Sequence, residues 1–147
     1  MAAEPAPHPH APEHATLSPA QRWATFASGL LLILGLLAML RSGVGDWSVR
    51  HARHFFEWPA HFLTGVAQFV IGVVGVACLG SEHVTRAYLT VSGLFLTAWA
   101  IAGAILNANP NDVFTRNPWL VGLHLILGLV SLILAGLSAR AAHRVAL

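Results

Sequence analysis

Two histidines stand inside apolar runs of this chain, and few other residues in those runs could do chemistry. His61 opens the stretch His-Phe-Leu-Thr-Gly-Val-Ala-Gln, and His124 opens His-Leu-Ile-Leu-Gly-Leu-Val-Ser. In both, a glycine follows four residues on (Gly65, Gly128) and a polar residue three further (Gln68, Ser131). An ionisable residue within a membrane span is a functional candidate by default, because facing lipid is expensive. Glu57 precedes His61 by four residues, so the two can meet on one helical face. Such a carboxylate would favour the imidazolium, or orient a neutral ring as a ligand. His124 has no acid in its own run, but Asn107, Asn109 and Asp112 come from the adjoining loop. Glu57, His61, Gln68, Asn107 and His124 are therefore the candidate polar cluster.

Several uses are open to these residues. The plainest is packing, with each histidine hydrogen-bonding a neighbouring helix about a turn below the interface. The alternative is a b-type haem held between His61 and His124, since axial histidines on facing helices build such sites. A third use is a proton or ion path through Glu57, His61, Gln68 and His124, although only serines and glycines continue it. Two histidines and one glutamate, with no cysteine near, are a thin donor set for zinc or copper, so no metal site is assigned. The tail histidines His8, His10 and His14 fit no defined metal spacing. There is no Gly-rich phosphate loop, nucleophile elbow or His-Glu-x-x-His motif. No catalytic residue is assigned, and a non-enzymatic role is expected.

The elements that carry these residues must lie in a membrane. Of 147 residues, 56% are hydrophobic and only 10% charged, where a soluble domain carries roughly 25% charged. Mean hydropathy is +0.65. All eight basic residues are arginines, scattered without the stripe that a nucleic-acid binder needs. A single cysteine, Cys78, excludes an internal disulfide.

Residues 1–20 form a Pro-, Ala- and His-rich tail that cannot bury enough surface to order itself. Apolar runs then predict four spans, at about 23–40, 59–79, 87–106 and 118–138, followed by a short tail at 141–147. Pro59 and Pro118 suit helix starts, and Asn117 suits a cap. Residues 41–57 form a longer loop, in which Arg50 to Phe56 suit a short interfacial helix. Trp47, Trp58 and Trp119 fall at one membrane face, and Trp23 and Tyr88 at the other, as an aromatic belt. Four spans put both termini on one side. The arginines divide four against four, so charge does not orient the chain. The tail lacks basic residues near Met1, and Ala38-Met39-Leu40 ends on a large residue, which argues against a cleaved signal. A retained tail favours cytoplasmic termini in the cell membrane.

The chain also repeats itself. Arg22-x5-Ser28-Gly29-Leu30 reads against Arg86-x5-Ser92-Gly93-Leu94, at an offset of 64, and the histidine stretches match at 63. Such repeats fix architecture. One helical hairpin used twice predicts copies related by an axis along the membrane normal, with His61 and His124 at matching depth. The predicted inner faces are His61, Gly65, Gln68, Gly72 and Gly75 on the second helix, and His124, Gly128, Ser131, Ala135 and Ser138 on the fourth. The first helix offers Ala24, Ser28, Gly35 and Ala38, and the third Gly93, Thr97, Ala100 and Ala104.

His61-Phe62-Leu63-x-Gly65-Val66, Arg86-Ala87-Tyr88-Leu89 and Asn117-x4-Gly122-Leu123-His124-Leu125-x2-Gly128-Leu129 carry a family resemblance. Over residues 22–138 the chain resembles the bacterial domain-of-unknown-function 4383 family, which comprises short four-helix integral membrane proteins. The resemblance implies a fold and a location but no activity. Where the family pattern often has a second histidine, one turn before the place of His61, this chain has Glu57.

The expectation is an all-α, four-helix transmembrane bundle of two parallel helical-hairpin repeats, with no cofactor unless the haem alternative holds. Its partners are the lipid bilayer and either further copies of itself or a larger membrane complex, not nucleic acid.

Overall fold

The computed structural model describes residues 16–42, 62–105 and 118–145, together with two short strands at 53–55 and 58–60. Four helices dominate: α1 (Pro19–Ser42), α2 (Phe62–Ala77), α3 (Glu82–Ile105) and α4 (Pro118–Val145). Each is long and apolar enough to cross a membrane, counting for α2 the turn of 3₁₀ helix that prolongs it to Gly80.

The starts and stops follow local chemistry. Ser18 and Gln21 form a reciprocal capping box: Gln21 N–H donates to Ser18 Oγ (3.2 Å), and Ser18 N–H to Gln21 Oε1 (3.0 Å). Pro19 then takes the first helical position, where its missing N–H costs nothing. α1 thus begins inside the expected tail, and Ala20 is already buried. α4 opens at Pro118 as expected, and runs past 138 to place His143 and Arg144 in its last turn. There, cations complement the exposed carbonyls. Glu82 sits at the opposite pole, in the first turn of α3. α2 and α3 join through Cys78–Gly80 and an extended Ser81.

Between α1 and α2, the expected interfacial helix and the helix start at Pro59 both give way to extended backbone. β1 (Arg53–Phe55) pairs antiparallel with β2 (Trp58–Ala60), with His54 opposite Pro59. A proline cannot donate to a ladder but is tolerated in a two-stranded ribbon, where every strand is an edge. α2 starts three residues after Pro59, at Phe62.

The described helices are inside-out relative to a soluble bundle. Ser28 and Thr85 are 0% exposed while Val91 is 69% exposed, and Leu40, Ile105, Ile126 and Ile133 also face outward. Large side chains can face lipid tails at no cost, and small ones let backbones approach. α1 packs mainly on α2 and α3 mainly on α4, with lighter contacts between the pairs. Glycines make the close approaches. A Cβ at Gly35 would lie 2.6 Å from Gly65 O, and one at Gly65 would lie 2.9 Å from Gly35 O. In the other pair, Gly93 and Gly128 face one another in the same way, at 3.0 and 2.9 Å. Where the pairs meet, Ala27, Leu31, Leu96 and Leu127 form an apolar joint flanked by Ile71 and Leu123.

Candidate functional site

His124 lies at the end of the second turn of α4 and is buried. It shares a face with Gly128, Ser131 and Ala135, because the steps of four, three and four keep to one side of a helix. All four are buried, as expected, while Ser138, the fifth residue of the predicted face, is only partly buried. On α2 the predicted face Gly65, Gln68, Gly72 and Gly75 is buried throughout. These two faces meet at one bond, Gln68 Nε2 to His124 Nε2, 3.0 Å long. An amide and an imidazole can each donate or accept, so the pair satisfies one polar group of each side chain inside the core. Among the described residues, Thr64, Ala67, Ile71, Phe95, Leu96 and Trp99 line a gap of about 10 Å³ beside the pair, the size of one water.

Of the predicted cluster, the described structure brings together Gln68 and His124. Glu57, His61 and Asn107 lie outside the described residues, as do Asn109, Asp112 and the tail histidines. The matching depth expected of His61 and His124 rests on His61, which lies outside the described residues. The α2 residues around His124 are Thr64, Ala67, Gln68 and Ile71.

The other two predicted faces hold in part. Ala24, Ser28 and Gly35 of α1 are buried, with Ala27 and Leu31 beside them. On α3, Gly93 and Ala100 are buried, but Ala104 is exposed and Gly103 turns inward in its place. Thr97 is in the core with a buried Oγ1 that has no hydrogen-bond partner.

Sequence reasoning missed what lies towards the chain termini. Trp23 and Tyr88, expected in the aromatic belt, also bridge helices. The Trp23 indole N–H donates to Ser131 Oγ (3.0 Å). Tyr88 is buried, and its hydroxyl donates to Ile71 O (3.2 Å) and lies 3.2 Å from Ser28 Oγ. Every helix pair that joins α1 or α2 to α3 or α4 thus carries a side-chain bond: Ser28 to Tyr88, Tyr88 to Ile71, Trp23 to Ser131, and Gln68 to His124. Further out, Gln21 donates to Leu79 O (3.1 Å), Thr85 to Cys78 O (2.8 Å) and Ser138 to Glu82 (2.7 Å). The only clue in the sequence was that Trp23 and Tyr88 have polar tips on faces shared with small residues.

Comparison with family models, with curated proteins and with solved structures finds no match for this chain. What it does must be argued from these contacts.

Proposed function

We propose that this chain is a non-enzymatic structural or accessory component of the cell membrane, acting with further copies of itself or within a larger membrane complex. Its two helix pairs are read as copies of one hairpin, with both termini on the cytoplasmic side. One observation carries the functional reading. The buried histidine of the described core spends its Nε2 on Gln68, and among the described residues the gap beside the pair is about 10 Å³. A haem-ligating histidine would have to exchange that partner for iron and open the packing for a macrocycle. A proton path would need a continuing ladder of titratable groups, and beyond Gln68 the α2 face has only Gly72 and Gly75. The resemblance noted in the sequence points the same way, since it implies a membrane bundle without an assigned activity.

The test is spectroscopic and functional. Protein made with haem supplied, purified in detergent and read air-oxidised and dithionite-reduced, is expected to show no Soret band. In liposomes it is expected to give no pH-dependent ion flux. His124→Ala is expected to lower the melting temperature. A Soret band that disappears in His124→Ala overturns the reading in favour of a haem protein, and a flux abolished by Glu57→Gln overturns it in favour of transport.

A further inference from the structure

The outer surface of the α3–α4 pair holds a groove of about 530 Å³, within the roughly 300–1,000 Å³ of ordinary ligand sites. Its walls are Ala87 and Val91 on α3 and Leu132, Ala135, Gly136 and Ala139 on α4. No large side chain closes it at Gly136, where nothing lies within 4 Å of a built Cβ. It opens towards the lipid-facing side, where Val91 is exposed.

One end of the groove is basic. His83 and Arg86 line it in the first turns of α3. Arg140 follows Gly136 by four residues and His143 follows Ala139 by four, so α4 adds both to the same face, one turn further out. Arg86 Nη2 lies 3.1 Å from His83 Nδ1. That contact uses one of the five N–H donors of a guanidinium. The acid nearest in sequence, Glu82, accepts from Ser138 Oγ.

We propose that this groove binds an anionic glycerophospholipid, with the headgroup phosphate at Arg86 and Arg140 and an acyl chain lying along Val91, Leu132 and Gly136. Charge complementarity decides the occupant. A second copy docked on the same face would oppose arginine to arginine, whereas a phosphodiester on an acyl chain matches both the mouth and the walls. Basic pockets between spanning helices recognise lipid headgroups in this way, and arginine suits a phosphate through its paired donors.

Native mass spectrometry of the full chain in detergent, with equal amounts of phosphatidylglycerol or phosphatidylcholine added, tests this. Wild-type protein is expected to retain phosphatidylglycerol preferentially. Arg86→Gln and Arg140→Gln should each reduce that retention about fivefold, the effect of one basic residue near an anionic headgroup. Gly136→Leu, which fills the wall at an open position, should reduce retention with both arginines intact. Equal retention of the two lipids by wild type overturns the proposal, as does a preference that survives all three changes. A dimer that Gly136→Leu dissociates would make a second copy the occupant and also overturn it.

Discussion

The α1–α2 and α3–α4 pairs are spelled with matching residues and packed differently. In the first pair Gly35 and Gly65 face one another. In the second Gly93 and Gly128 do so. Gly65 and Gly128 are matched positions, but their partners are not: Gly93 matches Gly29, and Gly35 matches Trp99. Gly29 has nothing within 4 Å of a built Cβ. The second pair is therefore slid by six residues relative to the first, about 9 Å. Where the first pair has Gly35 the second has Trp99, and its crossing lies at Gly93, six residues earlier in α3. Matching residues in the two pairs therefore do not make matching contacts.

The strongest way to break this comparison is to add a methyl group at each crossing. Gly35→Ala places a Cβ 2.5 Å from Phe69 N, and Gly128→Ala places one 2.8 Å from Thr97 N, both backbone atoms that cannot swing aside. Each substitution should cost about 1–3 kcal/mol, the usual penalty of overpacking. Unfolding in mixed micelles by titration with a denaturing detergent measures it. Equal stability of both variants and wild type would mean that the glycines are not where the helices cross.

The bond between the pairs comes next in size. His124→Ala and Gln68→Ala should each lower stability by about 1–2 kcal/mol, and their double mutant should cost less than the sum. Interhelical hydrogen bonds in membranes have averaged about 0.6 kcal/mol of coupling. Zero coupling would show that the two side chains do not bond, and would leave His124 free for another partner.

That pair also marks how far the sequence could be read. Composition and the apolar runs were enough for four helices, because a span needs some twenty apolar residues and little else. Steps of three and four placed Gly65, Gln68, Gly72, His124, Gly128 and Ser131 on buried faces, since helical periodicity is a local property. Which face meets which is not local. How α2 meets α4 depends on contacts between helices, such as the joint of Leu31, Leu96 and Leu127, which no spacing within one helix reports. Hence Gln68 was legible as a buried polar residue but not as the partner of His124. The bonds of Trp23 and Tyr88 were not legible for a related reason. An amphipathic ring near a helix end satisfies an interfacial pattern equally well whether its polar tip finds water or a serine on another helix.

A smaller effect, opposite in sign, separates the two matched glycines. Gly29→Ala should stabilise by up to about 1 kcal/mol, because alanine is the better helix former and the site is open. Gly93→Ala should be neutral or destabilising, since its Cβ would meet Gly128 O at 3.0 Å. If both gain equally in the same unfolding assay, the pairs share one register and the slide is refuted.

The smallest effect is expected where the second pair is least satisfied. A threonine in a helix usually returns its hydroxyl to the carbonyl one turn back. Thr25, Thr90 and Ser92 do so, to Gln21, Arg86 and Tyr88. Thr97 does not: its Oγ1 is buried against Gly128 without a hydrogen-bond partner. The matched residue of the first pair, Ile33, is turned outward, where no such constraint applies. Thr97 is thus the cost of moving the crossing to Gly93, a hydroxyl trapped beneath a glycine that the slide brought over it. Thr97→Val keeps the shape and removes the unmet group, so it should stabilise by a few tenths to about 1 kcal/mol. A loss of stability of that size would mean that the hydroxyl is bonded in the membrane, and that the second crossing is better satisfied than its geometry implies.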